Sequence, residues 1–239
     1  MIPISDTNPN RSFPVVTWLL IFLNGIVFLY ELNLPEKYLL NFFYEYGLVP
    51  ARYTNHLWAM QHNFKGFSIL PFFTSMFLHA NWLHFIFNIW TLWIFGDNVE
   101  DKMGKISFLI FYILSGFISN FVHFIFNFSS TIPTIGASGA ISAVMGAYMW
   151  MFPFARIVIL IPIFFIPYFI EVPAFLFIGF WFLSQLFSGV AFLMLPVKTG
   201  SIAWWAHIGG FITGIVLLPF FKKKNKHHKK ILFNEDFFF

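Results

Sequence analysis

Ser138 stands in "GASG", a lone hydroxyl among small residues where an apolar run begins. His207 stands in "AWWAHIGGFITG", again at the start of an apolar run. His84 and Asn88 lie in "FLHANWLHFIFNIW", four residues apart, so they share one face if that stretch is helical. Polar groups at membrane depth are costly, which makes each a functional candidate. Each also has a purely structural reading. Ser138 suits a helix N-cap or a close-packing position, and the hydrolase elbow G-x-S-x-G is broken by Ala140. His207 suits a histidine bonded to a neighbouring helix. His84 and Asn88 suit an interhelical clamp worth about 1 kcal/mol. A metal reading would set His79, His84 and Asn88 beside His207, but catalytic zinc sites usually include a carboxylate or a third histidine, none is placed nearby, and there is no H-E-x-x-H.

Taken together, the four residues support one chemistry. A serine hydroxyl needs a base to become a nucleophile at neutral pH, and His207 can act as that base. A tetrahedral intermediate then needs hydrogen-bond donors at its oxyanion. His84, Asn88 and the backbone N–H of Ser138 at a helix N-terminus are the candidates. Of the carboxylates only Glu31 and Glu171 approach the apolar runs, and neither suits His207, so the expectation is a Ser–His dyad.

The elements that must position these groups are membrane helices. The 239 residues are 59% hydrophobic and 10% charged, too little charge to cover a soluble surface. Long uncharged runs predict a polytopic, all-α membrane protein. Six spans are expected, at 13–32, 82–96, 105–127, 137–152, 172–193 and 203–221. The first is read as an uncleaved span, being longer than a signal core and lacking a small-residue cleavage site. One membrane domain is expected over 1–221, followed by a basic cytoplasmic tail, 222–239. The loop 33–81 is rich in aromatics and expected to lie partly in the interface. The stretch 157–171 is apolar but interrupted by Pro162 and Pro167, and its Ile and Val favour extended backbone. It is expected to be buried or re-entrant, with a seventh span as the alternative.

Ten of the 14 Lys and Arg fall on the side holding the C-terminal tail, which puts both termini in the cytoplasm. The net charge of +4 comes mostly from that tail and is no nucleic-acid signal. The absence of cysteine excludes disulfides and thiolate chemistry. Spans two, four and six then run inward from outside, with His84, Ser138 and His207 at similar depth near their outer ends. Ala206, Gly210 and Gly214 form a small-residue groove on span six, matched by Gly139, Ala143 and Gly146 on span four.

The sequence resembles the rhomboid intramembrane serine proteases. The resemblance rests on "HANWLHFIFN", "FGDNVEDKMG", "GASG" and "AHIGGFITG", in that order, over about 75–221. It implies a six-transmembrane-helix bundle with Ser138 as nucleophile and His207 as base. His84 and Asn88 match the family's oxyanion-side residues, and His79 a structural histidine. It also implies single-span membrane proteins as substrates, cut near the outer face without a cofactor or metal, in a cell membrane of the bacterial inner membrane type. Span five would move to admit them, its Phe175, Phe177, Phe180, Trp181 and Phe182 forming a lipid-facing gate. The chain departs from the pattern at Ser142, where well-known members carry an aromatic that stacks on the base. Trp204 or Trp205 is expected to hold the His207 ring instead. "GLVPARY" replaces a Trp-Arg pair in the first loop.

Two other classes compete with the endopeptidase. One is an inactive rhomboid-like protein that binds transmembrane helices, though such proteins lose the serine or the histidine. The other is a small transporter or metal carrier, which needs a polar path through the inner half of the bundle, where the sequence is apolar.

Overall fold

The computed structural model describes residues 2–64, 66–163, 166–193 and 203–223. Strand β1 (Ile2–Asp6) leads into α1 (Val15–Leu32). The first loop folds into four short helices, α2 (Glu36–Tyr46), α3 (Ala51–Thr54), α4 (His56–Gln61) and α5 (Pro71–Thr74), followed by a 3₁₀ turn at Ser75–Phe77. Then come α6 (Trp82–Met103), α7 (Lys105–Phe126) and α8 (Ser138–Met151). A hairpin of β2 (Arg156–Ile163) and β3 (Ile166–Pro173) connects to α9 (Ala174–Leu193) and α10 (Trp204–Phe221). The loop at 194–202 and the tail from 224 onward lie outside the described residues.

Four helices, α1, α7, α9 and α10, are long and apolar enough to cross a membrane. The other two expected spans differ in kind. The 14 residues of α8 reach only about 21 Å, short of the roughly 30 Å hydrocarbon core. Its residues Gly139 to Tyr148 are all buried, so α8 is surrounded by protein. Helix α6 runs past the expected end at 96 to Met103, through Asp97, Glu100 and Asp101. The extension is possible because its acids have partners. The buried Glu100 carboxylate accepts from the backbone N–H of Val16 (3.0 Å) and Thr17 (2.8 Å) and from the Thr17 hydroxyl (2.9 Å). It thereby caps the first turn of α1, whose N–H groups have no intrahelical acceptor.

The all-α expectation needs correction. The chain carries a three-stranded antiparallel sheet in the order β1-β2-β3. The stretch 157–171 is not a seventh helical span but most of a hairpin, extended as its Ile and Val favour and partly buried, in register from Arg156↔Pro173 to Ile163↔Ile166. Its two prolines face each other, Pro162 opposite Pro167, so neither strand needs a proline N–H from the other there. Ile157 and Ile159 alternate inward onto the helical core, and β1 covers the free edge of β2.

Helices α6, α8 and α10 run in parallel. Their N-termini meet at the candidate site, and their C-termini gather at the other end. There Lys223 N–H donates to Lys102 O (3.1 Å), and Ser12 Oγ donates to Asp101 (2.8 Å). The packing of α8 on α10 is backbone to backbone. A Cβ on Gly210 would sit 2.0 Å from the carbonyl oxygen of Gly139, and one on Gly214 would sit 2.0 Å from that of Ala143. Only glycine permits this approach, which is what the spacing of small residues predicts.

Candidate active site

Gly136, Ala137 and Ser138 form the turn into α8. Gly136 has φ +126°, a conformation that disfavours any side chain. A Cβ there would also lie 2.6 Å from His84 Nε2. The His84 ring therefore lies directly against the loop that carries Ser138. Gly136 N–H donates to Ser75 O (2.8 Å), tying this loop to the residues just before α6. The first loop holds it from the other side. Leu48 and Thr134 exchange two backbone hydrogen bonds, 3.0 and 2.8 Å, and Leu48 and Val49 are fully buried. "GLVPARY" thus acts as a clamp on the segment preceding Ser138.

Ser138 is the first residue of α8. Its Oγ lies 2.8 Å from His207 Nε2. His207 is buried on the first turn of α10, and its Nδ1 lies 2.7 Å from Gln185 Oε1 on α9. A carbonyl oxygen at Nδ1 favours the tautomer protonated there, the one that leaves the Nε2 lone pair for the Ser138 hydroxyl. Ser119 on α7 fixes the same turn by donating to Ala206 O (2.8 Å).

Asn88 lies one turn below His84. It is 5% exposed, and its Nδ2 has no hydrogen-bond partner. An unpaired buried amide donor is costly, so its presence beside this site calls for an acceptor. Asn81 caps α6 by accepting from His84 N–H (2.9 Å), which fixes the backbone of His84. His79 plays a supporting part. Its ring packs edge-on against His84 with centroids 5.2 Å apart, and its backbone N–H donates to the Glu31 carboxylate (3.2 Å). Burial, with His84 adding, pushes the His79 imidazole down to about 3, so it stays neutral.

The structure brings Ser138, His207 and His84 together, with Asn88 one turn deeper on the same face as His84. Gln185 was missed from the sequence. The signal was present, since it is the one Asn, Gln or charged residue between Glu171 and Lys198. Ser142 does not reach the His207 ring. Its hydroxyl donates back to Ser138 O (2.6 Å) and braces the first turn of α8. Trp204 meets the ring edge-on at 6.3 Å, but Trp205 turns away to stack on Phe126 at 3.9 Å. Trp181 of α9 lies closer, at 5.9 Å. The lipid-facing gate also needs correction. Phe175 and Phe180 are exposed, whereas Phe177 packs on the core, Trp181 faces His207 and Phe182 stacks on Phe211 at 4.3 Å. Glu171 pairs with Arg156 on the hairpin (3.5 Å) and Glu31 serves His79. Among the described residues no group of three or more His, Cys, Asp or Glu could hold a metal ion.

Apolar membrane-length helices packed around a part-buried serine–histidine contact define the class, a helical membrane protein with an internal polar site. Residues 66–224 match the Rhomboid domain family, and the chain belongs to the rhomboid family. Among its relatives is "Presenilin-associated rhomboid-like protein A, mitochondrial" of Danio rerio, 33% identical over 97 residues, which are 39% of this chain and 25% of that protein. "Rhomboid-like protein 11, chloroplastic" of Arabidopsis thaliana is 31% identical over 49% of this chain and 39% of its own length. "RHOMBOID-like protein 6, mitochondrial" of the same plant is 28% identical over 60% and 41%. The chain thus spans between a quarter and about two-fifths of these relatives' lengths. Their names place them in mitochondria and chloroplasts rather than in a bacterial inner membrane.

Proposed function

We propose that the protein is an intramembrane serine endopeptidase that cuts transmembrane segments of membrane proteins. The observation that carries this reading is the 2.8 Å contact between Ser138 Oγ and His207 Nε2. In the proposed reaction the Ser138 hydroxyl gives its proton to His207 Nε2 as Oγ bonds to the scissile carbonyl carbon. The carbonyl oxygen becomes an oxyanion that accepts hydrogen bonds from Asn88 Nδ2, the His84 ring and the Ser138 N–H. Collapse breaks the C–N bond, and the imidazolium protonates the leaving amine. Water, deprotonated by His207, then attacks the acyl-serine ester, and its C–O bond breaks to restore the hydroxyl.

The accompanying topology counts six membrane helices, with the short α8 enclosed by protein and α6 partly exposed beside the four apolar helices. Both termini face the cytoplasm in this reading, which the distribution of Lys and Arg supports. The site then opens from the outer side, and the substrates are single-span proteins cut near that face.

The test uses purified protein in liposomes with a fluorophosphonate probe and a panel of transmembrane test segments. Labelling and cleavage are expected, both abolished in Ser138→Ala and strongly reduced in His207→Ala. Folded protein that takes no label and cuts no segment would show instead a rhomboid-like binder of transmembrane helices.

A further inference from the structure

We infer that Gln185 is a positioning residue for the base, setting the His207 tautomer, and that α9 thereby controls whether the dyad is competent. The inference rests on the dyad reading above. Four hydrogen bonds run in one direction from the α9 backbone to Ser138. The Ser184 hydroxyl donates to Trp181 O (2.6 Å), and Gln185 Nε2 donates to Ser184 Oγ (3.0 Å). Gln185 Oε1 then faces His207 Nδ1 (2.7 Å), and His207 Nε2 faces Ser138 Oγ (2.8 Å).

The direction is forced. The single hydrogen of Ser184 is committed to Trp181 O, so its oxygen can only accept from the Gln185 amide. That fixes the Gln185 carbonyl toward His207, and an imidazole facing a carbonyl must present N–H. The proton sits on Nδ1 and Nε2 is free as the base. Without the carbonyl, the ring is free to place its proton on Nε2, where it cannot accept from Ser138. Gln185 is 7% exposed, so water does not readily replace it.

The position of this residue matters as much as its chemistry. Ser138, His207, His84 and Asn88 lie on α8, α10 and α6, which the glycine contacts and the core hold together. Gln185 lies on α9, the least buried of the four apolar helices. Displacing α9 from α10 parts Gln185 from His207 and removes Trp181 from the ring. The tautomer lock is therefore made only when α9 is seated.

The experiment compares the full chain with Gln185→Leu, which keeps bulk but loses the acceptor, and Gln185→Glu, which keeps the acceptor. Ring nitrogens are read by ¹⁵N NMR in micelles at neutral pH, with His207→Ala identifying the His207 signals. The wild type is expected in the Nδ1–H form and the leucine variant with a substantial Nε2–H population. Cleavage by the leucine variant is expected to lose at least about tenfold in kcat with KM within about twofold, and the glutamate variant to recover most of it. A leucine variant that keeps the Nδ1–H form and wild-type kcat overturns the inference. If the wild type neither labels nor cleaves, the protease reading fails, and the ring spectra still decide the role of Gln185.

Discussion

At the scale of single residues, the site is a matter of which polar atoms are paired and which are left waiting. Ser138, His207 and Gln185 satisfy one another, but Asn88 Nδ2 is buried with no acceptor. A folded protein tolerates such a group where a ligand supplies the missing partner. If that ligand is the oxyanion, Asn88→Leu removes a donor used only in the transition state. The expected result is a loss of about 10²–10³ in kcat with little change in KM, measured on a transmembrane test segment in liposomes. Because the amide makes no bond in the resting protein, thermal stability should hold or rise slightly. A kcat within twofold of wild type would remove Asn88 from the chemistry.

At the scale of elements, the contact between α8 and α10 decides whether Ser138 and His207 meet at all. Carbonyl oxygens of α8 occupy the places where side chains on Gly210 and Gly214 would begin. Gly214→Leu must push the helices apart in the middle of the bundle. We expect a clear fall in melting temperature together with loss of fluorophosphonate labelling, although position 214 lies nearly two turns from His207. Gly25, whose Cβ would meet nothing within 4 Å, is the control. Gly25→Ala should leave both measurements unchanged.

β1 invites a second prediction at this scale. Asp6 accepts from the Tyr148 hydroxyl and from Asn98 Nδ2 (3.2 Å), joining β1 to α8 and α6. Burial, with Asp97 adding, pushes the Asp6 carboxyl up to about 6, although the Tyr148 bond opposes this. A carboxyl raised on folding favours the docked strand in its protonated form. That contribution is complete below the unfolded value near 4 and is lost as pH rises through about 6. Amide protection of Ile2–Asp6, corrected for intrinsic exchange, should therefore fall between pH 4 and 7, and Asp6→Asn should flatten the dependence. A fall of equal size in Asp6→Asn would assign it to another group.

At the scale of the whole molecule, the apolar helices and the polar site answer different demands. Helices α1, α7, α9 and α10 are long and apolar enough to cross a membrane, and their residues are recognisable by composition alone. Helix α8 is short and rich in small residues, and its burial among the other helices keeps the turn that carries Ser138 packed against protein. The sheet and the α6 acids close the opposite end, where Glu100 holds α1 and Lys223 returns to Lys102.

The sequence by itself determined what depends on local composition and period. Apolar runs marked the membrane helices, the recurrence of Gly and Ala foretold the groove between α8 and α10, and Ser138, His207, His84 and Asn88 stood out because lipid makes polar groups rare. Tertiary structure alone decided what depends on partners distant in the chain. The extended backbone of 157–171 was legible in its Ile, Val and prolines, but the sheet was not, because its third strand comes from residues 2–6. Helix α6 could run through its acids only because α1 presents N–H groups to Glu100. The support of His207 was open for the same reason: position 142 offers no ring, and the carbonyl that orients the imidazole comes from α9, 22 residues away. Periodicity reports which face of an element is apolar; it carries no information on which distant polar atom that face will meet.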